Sequence, residues 1–172
     1  MDPDAYLCQL AEIFNGISVN TPSLSAIIAI ILAGLLLLAS GFASASEIAF
    51  FSLSPSDLND IEEGNHPSDG KISNLLADSE RLLATILITN NFVNVTIIML
   101  CNFFFMNVFV FHSPLAEFLI LTVILTFLLL LFGEIMPKIY SAQKTLAFCR
   151  FSAPVIYVLR KAVSYTHLRA HE

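Results

Sequence analysis

The chain has 172 residues, of which 56% are hydrophobic and only 13% charged, and its mean hydropathy is +0.78. A water-soluble domain carries about 25% charge, so the composition excludes a soluble enzyme or carrier and describes a protein of the lipid bilayer. The formal net charge of −6 is shared between the sides of a membrane and points to no nucleic-acid partner.

Residues 1–22 form an N-terminal segment with acidic Asp2, Asp4 and Glu12. No fixed charge then occurs until Glu47, which is ample for a span through a hydrocarbon core about 30 Å thick. The expected first span is Ser23 to Ser46. It is an anchor rather than a cleaved leader, because the flank before it is acidic and the apolar run is long. At its end, "ASGFASASEIAFFSL" puts Ser40, Ser44 and Glu47 four and three residues apart, on one helix face. Gly41, Ala43 and Ala45 thin the neighbourhood. Close helix packing alone explains such small residues, so this cluster by itself is ambiguous.

The loop 52–81 is acidic. Ser54 as N-cap, Pro55 at the first position and Gly64 at the exit predict a short helix. "HPSDG" predicts a turn, and "KISNLLADSERLLATIL" predicts a helix running into the second span, Leu82 to Phe111. Within that span, "ITNNFVNV" carries Asn90, Asn91 and Asn94. Asn90 and Asn94 share a face, and amides at membrane depth are costly unless satisfied. Interhelical hydrogen bonding is the plainer explanation.

After the tight "FHSP" turn, the third expected span is Pro114 to Pro137. Its uncharged part, Phe118 to Gly133, covers about 24 Å at 1.5 Å per residue, so Glu134 must sit near an interface or in a polar pocket. In a helix the residue at 137 would bond the carbonyl of Gly133. Pro137 has no N–H and its ring crowds that carbonyl, so a kink with a freed Gly133 oxygen is expected beside the Glu134 carboxylate. Broken helices with carbonyls facing a cavity are a recurring cation device in membranes.

Residues 140–163 mix apolar and aromatic residues with spaced cations, as in a juxtamembrane helix lying in the interface, with Pro154 expected to break or bend it. A fourth span there would bury Lys144 and Arg150. Residues 164–172, "SYTHLRAHE", lack continuity with this pattern and read as a non-native tail, and the spacing of His167 and His171 is set aside with them. Cys8, Cys101 and Cys149 have neither paired nor metal-like spacing. No histidine, cysteine or acidic pair accompanies a nucleophile at membrane depth, so no enzyme is expected.

Lys138, Lys144, Arg150, Arg160 and Lys161 gather after the third span. The positive-inside rule then places the C-terminus in the cytoplasm and the N-terminus outside. The three polar clusters fall in the inner half of the membrane and offer hydroxyl, amide, carbonyl and carboxylate oxygens. These hard donors suit Mg²⁺, Ca²⁺ or Na⁺ rather than zinc or copper.

"SGFASASEIAFFSLS", "LLATILITNNFVNV" and "FGEIMPKIYSAQ" resemble, in order and spacing, the signatures of the CorC/CNNM magnesium transporter family's transmembrane (DUF21-type) domain. Among its branches the chain looks like the gliding-motility-associated protein E of Bacteroidetes. The resemblance implies an all-α membrane domain of three spans over 23–139, a homodimer in the cell's inner (plasma) membrane, and an inward-facing cavity. It implies Mg²⁺ as the transported ion, with Na⁺ as a candidate coupling ion. The ligands it implies are Ser40, Ser44, Asn90 or its neighbours Asn91 and Asn94, Gly133 and Glu134, with Pro137 as the kink. Family members continue into nucleotide-binding CBS domains, so the chain reads as truncated before them. The alternative is a non-transporting scaffold that assembles a surface machine such as the gliding machinery.

Overall fold

The computed structural model describes residues 17–111 and 114–169. The acidic segment with Asp2, Asp4, Cys8 and Glu12, the turn residues His112 and Ser113, and His171 lie outside the described residues.

A short strand β1 (Ile17–Val19) leads into α1 (Leu24–Phe51). Ser23 caps α1 by accepting the Ala26 N–H at 3.2 Å, which satisfies one of the orphan donors of the first turn. At 28 residues the helix is about 42 Å long and outruns the hydrocarbon core. The expected end at Ser46 is therefore corrected to Phe51: "EIAFF" holds no glycine or proline, and the chain turns only at the next cap.

That cap is Ser54, which opens α2 (Pro55–Glu62) with a capping box: its hydroxyl accepts the Asp57 N–H, and Asp57 accepts the Ser54 N–H at 2.9 Å. Gly64, at φ 70°, takes the left-handed conformation that ends this unit. Next comes α3 (Asp69–Leu76), which does not run into the second span as expected. Asp78 adopts φ −129°, ψ 68° and caps a new helix by accepting the Arg81 N–H at 3.3 Å. A short side chain that competes for backbone donors favours this break. The new helix, α4 (Ser79–Val108), is followed by strand β2 (Phe109–Phe111), which pairs antiparallel with β1, Ile17 opposite Phe111.

The third span comprises α5 (Pro114–Phe118), a π-helical turn at Leu119–Ile124, α6 (Leu125–Leu130), a second π-helical turn at Leu131–Ile135, and α7 (Met136–Gln143). The chain turns at Lys144 (φ −137°, ψ 52°) into α8 (Thr145–Arg169). Pro154 lies inside α8; of the expected break or bend, the break does not occur. One missing hydrogen bond is offset here by packing, since Cys149, Ala153 and Ile156 beside it are fully buried.

The described part contains three helices long and apolar enough to cross a membrane, Leu24–Phe51, Ser79–Val108 and Leu121–Gln143. The first is central, packing against α4 on one side and against the end of the third span and α8 on the others. A core of Ala33, Val93, Ile97 and Cys101 joins the first two spans at membrane depth. A second core gathers Phe50, Ile61, Ile72, Leu75, Leu82, Cys149 and Ile156, so α2, α3 and α8 form one small domain at the end of the bundle. Its polar lock is Asp69, whose fully buried side chain receives Arg150 Nε at 2.8 Å and Nη2 at 3.1 Å. Those guanidinium hydrogen bonds hold the Asp69 carboxyl below the usual carboxylate range.

Candidate cation site

Two glycines let the helices meet closely enough to form a site. A Cβ on Gly41 would lie 3.0 Å from the Pro137 ring, and one on Gly133 would lie 3.2 Å from Leu37 and 3.3 Å from the Ser40 hydroxyl. The α1 backbone is thus pressed against the second π-helical turn. That turn shows what Pro137 does. The Met136 N–H reaches back five residues to the Leu131 carbonyl, widening the helix where the proline ring would crowd residue 133. At the position expected to kink, the structure has a π turn, and the helix continues through Pro137 without a break.

At the closest approach stands Ser40, fully buried. Its Oγ lies 2.8 Å from Asn90 Oδ1, 2.6 Å from Asn94 Oδ1 and 3.5 Å from the Gly133 carbonyl oxygen. A hydroxyl has one proton to give, so it satisfies one of these three acceptors. Four oxygens from three spans therefore converge with a single proton between them. A cation would relieve such an excess of lone pairs in a low-dielectric interior, as would turning one asparagine so that its amide NH2 faces the Ser40 hydroxyl.

One turn along α1, Ser44 is also fully buried, and its Oγ has no hydrogen-bond partner. Nearby Ser46 shows the ordinary alternative, donating to the Phe42 carbonyl at 2.7 Å. An unsatisfied buried hydroxyl costs about 1–3 kcal/mol, a cost that a bound ion removes.

Glu134 lies elsewhere in the network. Its carboxylate receives Lys138 Nζ at 3.2 Å, and the same ammonium reaches Glu47 Oε2 at 3.1 Å. No hydrogen bond among the described residues ties the Glu134 side chain to Ser40. Asn91 is exposed, and its side chain stands apart from the Ser40 group. The structure thus brings together Ser40, Asn90, Asn94 and the Gly133 carbonyl, sets Ser44 one turn away, and places Glu134 in an ion-paired triad with Glu47 and Lys138. Lys138 is the residue the sequence reading missed. Its spacing of four from Glu134 was a usable signal, whereas its pairing with Glu47 required knowing which helices touch.

Among the described residues no group of three or more His, Cys, Asp or Glu is placed to hold a metal, so any ion at Ser40 meets mainly neutral oxygens. That chemistry fits a hard cation. The sequence profile of the cyclin M (CNNM) transmembrane N-terminal domain matches residues 30–166. The chain belongs to the CNNM family. No curated protein matches it. The CNNM match spans the Ser40, Asn90 and Gly133 clusters and their connecting elements, and a CNNM transmembrane domain belongs to a family of membrane metal transporters.

Proposed function

We propose that this CNNM domain carries Mg²⁺ across the inner membrane from an inward-facing cavity, with Na⁺ as the coupling ion in an alternating-access cycle. The observation that carries the reading is the Ser40 cluster, where three acceptor oxygens share one hydroxyl proton, together with the orphaned Ser44 hydroxyl. Ser40, Asn90, Asn94 and Gly133 supply neutral oxygens, and Ser44 adds another by rotation of its side chain. Water completes the shell, because Mg²⁺ sheds its hydration reluctantly and demands near-octahedral geometry. Glu134 and Glu47 act from the neighbouring turn. Their charge attracts the ion, and Lys138 stands in for it when the cavity is empty. The third span leaves only 6% of its apolar window buried, against 33% for each of the others, which supports a second copy of the chain covering it in a homodimer. CBS domains following this segment would supply nucleotide control.

Purified protein in detergent tests the reading by a melting curve at rising Mg²⁺. An ion that binds only the folded state raises the melting temperature by mass action. Wild type is expected to gain stability with Mg²⁺ and Asn90→Leu to gain none. Equal gains in both would remove the cluster from ion binding.

The Lys138 triad favours a second reading. Its single ammonium already bridges both carboxylates, as it would in a non-transporting scaffold, of the gliding machinery or otherwise. A scaffold requires Asn90→Leu to weaken dimerisation while leaving every Mg²⁺-dependent signal unchanged.

A further inference from the structure

A cavity of about 380 Å³ lies where α3, α4 and α8 meet, lined by Asn74, Ala77, Asp78, Arg81, Arg160 and Lys161. It is separate from the Ser40 cluster and sits at the end of the second span, level with the membrane surface, because Arg81 belongs to the first turn of α4. Three cations face it against a single acid.

Each cation is held. Arg81 Nε pairs with Asp78 at 3.2 Å. Arg160 donates to the Asn74 carbonyl at 3.0 Å and to the Asn74 Oδ1, and lies 5.6 Å from the Tyr157 ring centroid. Lys161 Nζ sits 5.1 Å from the same ring. Only Asp78 offsets their charge within the lining, so the cavity keeps an excess of positive charge. Fork-shaped guanidinium donors beside an ammonium are the groups that recognise phosphate.

Beside it, α8 presents Phe151, Val155 and Val158, which are 68%, 48% and 64% exposed. They are spaced by four and three, and Lys161 follows three residues on, so an apolar stripe runs along the outer face of α8 toward the turn that carries Lys161. A soluble phosphate has no use for that stripe, whereas acyl chains would cover it. We propose that this cavity binds the phosphate of an anionic phospholipid, with the lipid's chains lying along Phe151, Val155 and Val158. Basic pockets between membrane helices are suited to such head groups. The bound lipid would pin α8 to α3 and α4 at the membrane surface.

The test measures lipid binding to the full 172-residue chain in detergent, by native mass spectrometry and by melting curves. The probes are phosphatidylglycerol, phosphatidylcholine and inorganic phosphate. Wild type is expected to retain and be stabilised by phosphatidylglycerol selectively. The double variant Arg81→Gln/Lys161→Gln should bind it at least tenfold more weakly, at roughly fivefold per basic residue. Lys161→Arg, which keeps the charge, should bind like wild type and so controls for folding. Equal binding of phosphatidylcholine, or undiminished binding by the double variant, would overturn the proposal. So would displacement of the lipid by millimolar inorganic phosphate, which would mark a site for soluble anions. Mg²⁺-dependent melting is expected to persist in the double variant, so failure here is distinct from failure of the transport reading.

Discussion

Ser44 is the residue at which binding and scaffolding part most sharply. Its buried hydroxyl is unpartnered, so replacing it with alanine removes a group that pays a desolvation cost and returns nothing while the ion is absent. Ser44→Ala should therefore be neutral or stabilising by about 1 kcal/mol without Mg²⁺, yet lose part of the Mg²⁺-dependent gain. Paired melting curves check this, and a destabilised variant with its Mg²⁺ response intact would speak for packing. Lys138 gives the opposite case. With its ammonium bound to Glu47 and Glu134 at 3.1 and 3.2 Å, Lys138→Met leaves those carboxylates uncompensated. Apparent Mg²⁺ affinity should rise, on the order of tenfold for about 1.4 kcal/mol of attraction released, and resting stability should fall. A Mg²⁺ titration of the melting temperature measures both. The oxygen donors themselves were legible in the sequence because serine and asparagine are conspicuous in an apolar span. The Lys138–Glu134 pair was legible too, from its spacing of four; the Lys138–Glu47 pair was not, because it joins two helices whose contact only the fold sets.

At the scale of elements, the site depends on how closely α1 approaches the third span. Gly41 stands against Pro137 with room for no further carbon, at 3.0 Å for an added Cβ. Gly41→Ala is expected to push the helices apart, cost about 1–3 kcal/mol and weaken Mg²⁺-dependent stabilisation. Gly34, whose added Cβ would meet nothing within 4 Å, supplies the control: Gly34→Ala should leave the Mg²⁺ response unchanged and raise stability by up to about 1 kcal/mol. The spans were readable from uncharged runs, and the α2 cap from Ser54, Pro55 and Gly64. The π turns were not. Pro137 announces that an ordinary helical bond is missing at Gly133, but not that the helix takes up the loss by widening and continuing to Gln143. Asp78 was equally silent, since an aspartate within an apparently continuous helical pattern becomes a cap only when α3 has its own surface to cover.

For the whole molecule, the membrane bundle is joined to a small domain through α8, and the Asp69–Arg150 pair closes it. Asp69 has a folded-state value below its usual 3.8, so its contribution to stability is present above about pH 4 and is lost as the pH falls through the lowered value. Asp69→Asn should lower the melting temperature by several degrees at pH 7, and its deficit relative to wild type should shrink as the pH is taken below 4. A pH series of melting curves tests the sign, and a deficit independent of pH would show that packing alone is lost. None of this long-range pairing was visible in the sequence, where Asp69 reads as a turn residue and Arg150 as an interfacial cation, 81 positions apart.

The most direct measurement is a density map of the protein prepared at high Mg²⁺. An ion is expected among Ser40 Oγ, Asn90 Oδ1, Asn94 Oδ1 and the Gly133 carbonyl, with at least one contact near 2.1 Å and the Ser44 hydroxyl turned toward it. A map at the same Mg²⁺ concentration that shows Ser40 hydrogen-bonded to its asparagines with no ion between them would contradict it.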